Sequence, residues 1–198
     1  MELKNSKTYL NLARAYASEC QARTRYEFVE YGARYNGQKA LADIIDKIAY
    51  QEFNHARMLY TALQDASGDQ IKNIDINAGF PFKEKWDLVE NIKLLAEDEA
   101  AEAKAYAKFI QTARSEGFDD IALLFEQIRS VELNHEKIFR WLHAQLLNKT
   151  LYKKDKQTKF VCSACGYAYN GTEALDECPL CKAKMGVTEI RLPSNLIL

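Results

Sequence analysis

Glu19, Gly37, Glu52 and His55 each recur 80 positions later, as Glu99, Gly117, Glu132 and His135. A repeat that keeps two acids, a glycine and a histidine in register is a duplicated supersecondary unit, which narrows the possible folds sharply. In the first unit Glu19 and Glu52 are 33 residues apart with their midpoint at Tyr35 and Asn36, beside Gly37. A helical hairpin turning there sets the two carboxylates level. The second unit repeats the geometry, with Glu99 and Glu132 flanking the turn Ser115-Glu116-Gly117.

Apolar residues recur at alternating steps of three and four through both units, the helical period. The pattern predicts four long helices over 5–35, 38–66, 84–115 and 118–148, with the Gly68, Gly79 and Pro81 segment long enough to cross a bundle. Ionisable residues interrupt each predicted core stripe. These are Glu19 among Leu12, Tyr16, Arg23 and Tyr26, and Glu52 with His55 among Ile45, Ile48 and Leu59. On the third helix they are Glu99 and Glu102, between Ile92, Leu95, Tyr106 and Phe109; on the fourth, Glu132 and His135, between Phe125, Ile128, Phe139 and Leu142.

Burying an unpaired carboxylate costs several kcal/mol or forces protonation, and five here converge on one level. Two divalent to trivalent cations would roughly neutralise the five charges, with two imidazoles adding neutral nitrogen ligands. One Glu from each of two helices and Glu-x-x-His from each of the other two is the ligand pattern of di-iron and di-manganese carboxylate bundles. The i, i+3 spacing puts each pair on one helix face. Glu102 breaks the repeat, its counterpart being Ala22. It is either a seventh, asymmetric ligand or a surface acid.

Beyond residue 150 the chemistry changes. The run Asn148 to Lys159 carries five lysines and little apolar content, which suits either a frayed helix end or a solvated linker over 151–159 between a bundle of residues 1–150 and a small domain of 160–198. Cys162-x-x-Cys165 and Cys178-x-x-Cys181 supply four thiolates at the spacing of a rubredoxin-like or zinc-ribbon site. Spacing points to a metal without choosing between iron, which would carry one electron, and zinc, which would be structural. Gly166 relaxes the first knuckle, whereas Lys182 stands in the equivalent place in the second and bears on its N–H to sulfur contacts. Cys20, beside Glu19, reads as a small packing residue, and His143 as a surface residue.

The formal net charge of −1, with 28% charged residues, gives no sign of a nucleic-acid partner. A polar N-terminus and the lack of an 18-residue apolar run point away from membranes and toward the cytoplasm.

In Glu19-Cys-Gln-Ala-Arg-Thr-Arg-Tyr26, Glu52-Phe-Asn-His55, Glu99-Ala-Ala-Glu102, Glu132-Leu-Asn-His135 and the final CSACGY and CPLC, the chain resembles rubrerythrin over nearly its whole length. The resemblance implies an all-α ferritin-like four-helix bundle with a small C-terminal rubredoxin-like β domain. It further implies a peroxidase reducing hydrogen peroxide to water in oxidative-stress protection. The electrons would come ultimately from NAD(P)H through a reductase or rubredoxin. By the resemblance Glu52 and Glu132 bridge two irons, Glu19 and Glu99 are terminal, and His135 ligates one iron permanently. His55 and Glu102 exchange on the other, and a third iron sits on Cys162, Cys165, Cys178 and Cys181, where zinc is possible in preparations. Tyr26 either hydrogen-bonds near the site or packs the core. A homodimer or higher oligomer is implied. Two readings compete with this one: a di-iron oxidase, ferroxidase or iron store, and a zinc-ribbon interaction module on a structural bundle.

Overall fold

The computed structural model describes residues 2–68, 70–77 and 87–198. Four helices of nearly equal length dominate it: α1 (Lys7–Tyr35), α2 (Lys39–Ser67), α3 (Leu88–Ser115) and α4 (Asp119–Leu147). Local signals set their ends. The Ser6 side chain accepts from Tyr9 N–H at the start of α1, and Asp87 accepts from Val89 and Glu90 N–H at the start of α3. The hairpin turns pass through Gly37 (φ 76°) and Gly117 (φ 83°), left-handed positions that a side chain would strain. The expected crossing through Gly79 and Pro81, and a third-helix start at 84, lie outside the described residues.

Each hairpin is a close antiparallel pair, α1 with α2 and α3 with α4, and the hairpins meet mainly through α1 and α3. Two apolar clusters fill the interior. One holds Tyr26, Leu41, Ile45, Ile48, Leu95, Phe139 and Leu142; the other holds Leu12, Leu59, Leu63, Tyr106, Phe125 and Ile128. The acidic residues fall between them along the helices, so packed hydrocarbon flanks the carboxylate layer on both sides. Fully burying each large apolar side chain contributes about 1.5–3 kcal/mol, and that offsets the layer's desolvation. On α1 the inward stripe runs Leu12, Ala15, Glu19, Ala22, Tyr26. Arg23, expected on that stripe, instead lies over the Phe53 ring at 4.8 Å. Small alanines take the inward positions that bulk alone would assign to Tyr16 and Arg23.

The stretch 151–159, expected to be a solvated linker, is mostly strand. β1 (Lys153–Val161) pairs antiparallel with β2 (Ala168–Glu173), Phe160 opposite Tyr169. A two-stranded ribbon wetted on one face needs few apolar residues, and β1 buries Phe160 alone. Its lysines therefore hid the strand. The cysteine domain packs onto the α1–α2 turn, where a Cβ added at Gly186 would overlap the Gly37 carbonyl. The C-terminal tail then returns along the bundle. Ile190, Leu192, Leu196 and Leu198 pack on the core, and the Asn134 side chain clasps Ile197 by donating to its carbonyl at 2.6 Å and accepting from its N–H at 3.3 Å.

Candidate metal centre

Glu19, Glu52, Glu99, Glu132 and His135 are fully buried, with His55 and Glu102 at 5% and 7% exposure. They form two groups whose potential ligand atoms lie within 4.8 Å of one another: Glu19, Glu52, His55 and Glu132; and Glu52, Glu99, Glu132 and His135. Glu52 and Glu132 belong to both. His55 Nδ1 lies 2.8 Å from Glu132, 3.2 Å from Glu52 and 3.4 Å from Glu19. His135 Nδ1 lies 2.9 Å from Glu52, 3.0 Å from Glu132 and 3.5 Å from Glu99. The repeat legible in the sequence is thus an approximate twofold axis through the shared carboxylates.

The donor set tests whether metals fit. One oxygen of each of Glu19, Glu52, Glu99, Glu102 and Glu132 is buried without a hydrogen-bond partner. Among protein atoms alone, burial pushes the pKa of Glu19, Glu99 and Glu102 well up, with the neighbouring carboxylates adding to it. Burial also opposes ionisation of Glu52, but hydrogen bonds from His135 and His55 outweigh it and hold that carboxyl well below its usual range. Both imidazoles are raised despite burial, by the carboxylates around them. Protons therefore satisfy the cluster only by neutralising most of its acids, whereas two cations satisfy the four acids of the two groups while leaving them ionised. The residues fit a dinuclear centre.

Glu102 stands outside both groups. It is buried, and burial followed by the charges of Glu132 and Glu52 holds its carboxyl well above the usual range. Around the acids lie Tyr26, expected either to hydrogen-bond near the site or to pack the core, and residues that the sequence reading passed over or placed only in the core. Tyr26 donates from its hydroxyl to Glu99 Oε1 at 2.7 Å, and Tyr106, 80 positions later, donates to Glu19. The stripe reading took Tyr106 for core packing, although the repeat that pairs it with Tyr26 was the signal for its role. Burial, then the nearby carboxylates, raises both phenols well above their usual pKa, so both remain donors. Gln51 Oε1 lies 2.8 Å from His135 Nε2 and accepts its N–H, so Nδ1, the nitrogen that faces the carboxylates, is the one that would ligate a metal. Nothing in the repeat signals Gln51, because its counterpart is Val131. Nor does it signal the Arg25–Asp98 ion pair beside Glu102. Cys20 is half-buried outside both groups, with its thiol toward Tyr16. His143, expected at the surface, is half-buried on α4.

In the C-terminal domain the four cysteines come together, Cys162 to Cys181 and Cys165 to Cys178 both at 3.7 Å between sulfurs. Disulfide sulfurs would be about 2.0 Å apart, whereas thiolates about 2.3 Å from one tetrahedral ion stand roughly 3.8 Å apart. Lys182 turns out to keep the knuckle. Its φ of 64° matches the 76° of Gly166, and Lys182 N–H reaches Cys178 O at 2.9 Å as Gly166 N–H reaches Cys162 O at 2.8 Å. Backbone N–H groups of Cys181 and Leu180 bring the Cys178 thiol down to about 7.

A ferritin-like bundle holding a di-iron carboxylate site, joined to a rubredoxin-like four-cysteine site, defines a class of iron oxidoreductase. Residues 11–143 match the Rubrerythrin family model and residues 160–186 the model for the rubredoxin-like domain of rubrerythrin. The chain belongs to the rubrerythrin family. It is 35% identical over 180 residues to the rubrerythrin of Clostridium perfringens, covering 90% of this chain and 91% of that one. It is 34% identical to the rubrerythrin of Nitratidesulfovibrio vulgaris, with coverage of 90% and 91%. Among solved structures, the fully reduced, all-ferrous state of nigerythrin superposes with a TM-score of 0.61 at 22% identity, covering 93% of this chain and 86% of the other. The Desulfovibrio desulfuricans bacterioferritin superposes with a TM-score of 0.62 at 22% identity over 73% of this chain and 82% of its own. Among the described residues no helix is long and apolar enough to cross a membrane.

Proposed function

We propose that the protein is a peroxidase that reduces hydrogen peroxide to water, in a cytoplasm that keeps its thiols reduced. Its electrons reach the di-iron bundle of residues 1–150 through iron in the four-cysteine domain of 160–198. The supporting observation is the pair of ligand groups that share Glu52 and Glu132, with a buried acid, Glu102, just outside them. When bound, the iron pair supplies Lewis acidity and two electrons, one from each ion. Glu52 and Glu132, common to both groups, would be shared by the two ions, Glu19 and Glu99 would each hold one, and His135 would hold the second. His55 and Glu102 would be the alternative holders of the first, the acid suiting the more positive oxidised pair and the neutral imidazole the reduced one.

The remaining residues hold and orient. The Tyr26 and Tyr106 hydroxyls fix the terminal carboxylates, and Gln51 fixes the His135 tautomer. The apolar clusters keep bulk water from the acids. Glu19 lies 18 residues before Gly37 and Glu52 15 residues after it, so the carboxylate layer is roughly 23–27 Å along the helices from the turn that carries the cysteine domain. That separation favours a homo-oligomer in which another chain's thiolate centre approaches the bundle. The electron donor to that centre is a rubredoxin or an NAD(P)H-dependent reductase.

Anaerobic stopped-flow tests the reading. The fully reduced protein is mixed with hydrogen peroxide and, separately, with dioxygen at equal concentration. Faster oxidation by peroxide is expected. Equal or faster oxidation by dioxygen, or accumulation of iron mineral, would overturn it in favour of an oxidase or iron store.

A further inference from the structure

Between α1 and α3, on the side of the bundle where Glu102 lies, a cleft of about 320 Å³ opens to the surface. Hydrogen peroxide is little larger than water, whose share of the liquid is about 30 Å³, so peroxide alone occupies roughly a tenth of that space. The volume instead falls at the lower end of sites for organic ligands, about 300–1,000 Å³. The lining is divided by chemistry. Ala15, Ile76, Ala105 and Phe109 present a hydrocarbon patch, whereas most of the rest of the lining, including Ser18, Arg25, Asp98 and Glu102, is polar. Asp98 pairs with Arg25, and Glu102 Oε1 is buried without a partner. A hydrocarbon patch beside an oriented polar end has no use for a small, fully hydrated substrate.

We propose that this cleft admits organic hydroperoxides, the alkyl or aryl group lying against Ile76, Ala105 and Phe109 and the hydroperoxide O–H donating to Glu102. The inference rests on the peroxidase reading and extends its substrate class. The O–O bond breaks, and two electrons from the two ferrous ions and two protons from solvent are taken up. The organic oxygen leaves as an alcohol and the distal oxygen as water. No further reductant is needed, because the same iron pair is recharged through the four-cysteine centre.

Ala105 is half-buried one turn beyond Glu102, and Ile76 faces the cleft from the segment after α2. Ala105→Trp and Ile76→Trp each narrow the wall from a different element, so that misfolding of one leaves the other informative. The iron-loaded protein is assayed with cumene hydroperoxide and with hydrogen peroxide, and its crystals are soaked with the product alcohol, 2-phenylpropan-2-ol. Wild-type kcat/KM for the organic substrate is expected within about tenfold of that for hydrogen peroxide, with the alcohol seated in the cleft. Either variant, with full iron content, should lower the ratio of organic to hydrogen peroxide kcat/KM about tenfold or more. Reduction of hydrogen peroxide without reduction of cumene hydroperoxide, an unchanged ratio in the iron-replete variants, or alcohol bound only elsewhere would overturn the substrate class and leave the peroxidase reading standing. Reduction of neither peroxide would overturn both.

Discussion

Tyr26→Phe removes one oxygen atom and keeps everything else about the side chain. The deleted hydroxyl donates to Glu99 Oε1 at 2.7 Å with both residues fully buried, so no water can replace it. The ring's edge-on contact with Phe139, centroids 5.4 Å apart, survives. A buried hydrogen bond to a charged acceptor contributes about 1.5–3 kcal/mol. The variant should therefore lose about 2 kcal/mol against urea in the metal-loaded state. Glu99 belongs to only one of the two ligand groups, so the loss should appear as weaker binding of one metal. At about 1.4 kcal/mol per decade, the affinity should fall roughly 10- to 150-fold. Tyr106→Phe should do the same through Glu19 to the other metal, and titration against a competing Fe(II) chelator resolves the two. If both variants lose less than about 0.5 kcal/mol and bind both metals as tightly as the wild type, the hydroxyls do not brace the terminal carboxylates and the twofold reading of the site fails.

Further perturbations probe other parts of the structure. Glu132→Ala removes a carboxylate common to both ligand groups and should abolish binding of both metals in the bundle, while iron or zinc on the cysteines, measured by elemental analysis, stays. Gly186→Ala forces a Cβ into the Gly37 carbonyl and should cost about 1–3 kcal/mol, seen as faster amide exchange where the cysteine domain meets the α1–α2 turn. Lys182→Gly relieves a left-handed φ of 64° and should raise the C-terminal domain's stability by up to about 1 kcal/mol in thermal melts. Glu116 accepts from the Thr8 hydroxyl and from the Thr8 and Lys7 N–H groups at the start of α1, which holds its carboxyl below the usual range. Its contribution, about 1 kcal/mol for a helix cap, is present above the ordinary carboxylate pKa and lost as pH falls through the depressed one. The stability gap between wild type and Glu116→Gln should therefore close in acid urea titrations.

The bundle and its acids were legible because two independent signals coincided, the 3.6-residue period and an 80-residue repeat of Glu19, Gly37, Glu52 and His55. Tyr106 followed from the same offset yet passed for core, since a buried tyrosine satisfies an apolar stripe and a hydrogen bond equally well. Gln51 and the Arg25–Asp98 pair act across helices at positions the repeat does not keep, so only packing reveals them. The bundle–tail contact between Asn134 and Ile197 spans 63 residues, and no local pattern encodes it. β1 was masked by lysines that a one-sided ribbon tolerates. Lys182 left the second knuckle in doubt, and its φ of 64° shows the backbone overriding residue preference where four sulfurs must converge.

Electron counting tests the central proposal most directly. The protein is loaded with iron, fully reduced, freed of excess reductant and titrated anaerobically with hydrogen peroxide. The visible absorption of ferric thiolate is followed throughout. Two ferrous ions in the bundle and one on Cys162, Cys165, Cys178 and Cys181 hold three electrons per chain, and each peroxide takes two. The expected end point is one and a half equivalents of peroxide per chain, with the thiolate band rising to full intensity. An end point of one equivalent without that band would contradict the relay through the cysteine domain, and no consumption of peroxide would contradict the peroxidase itself.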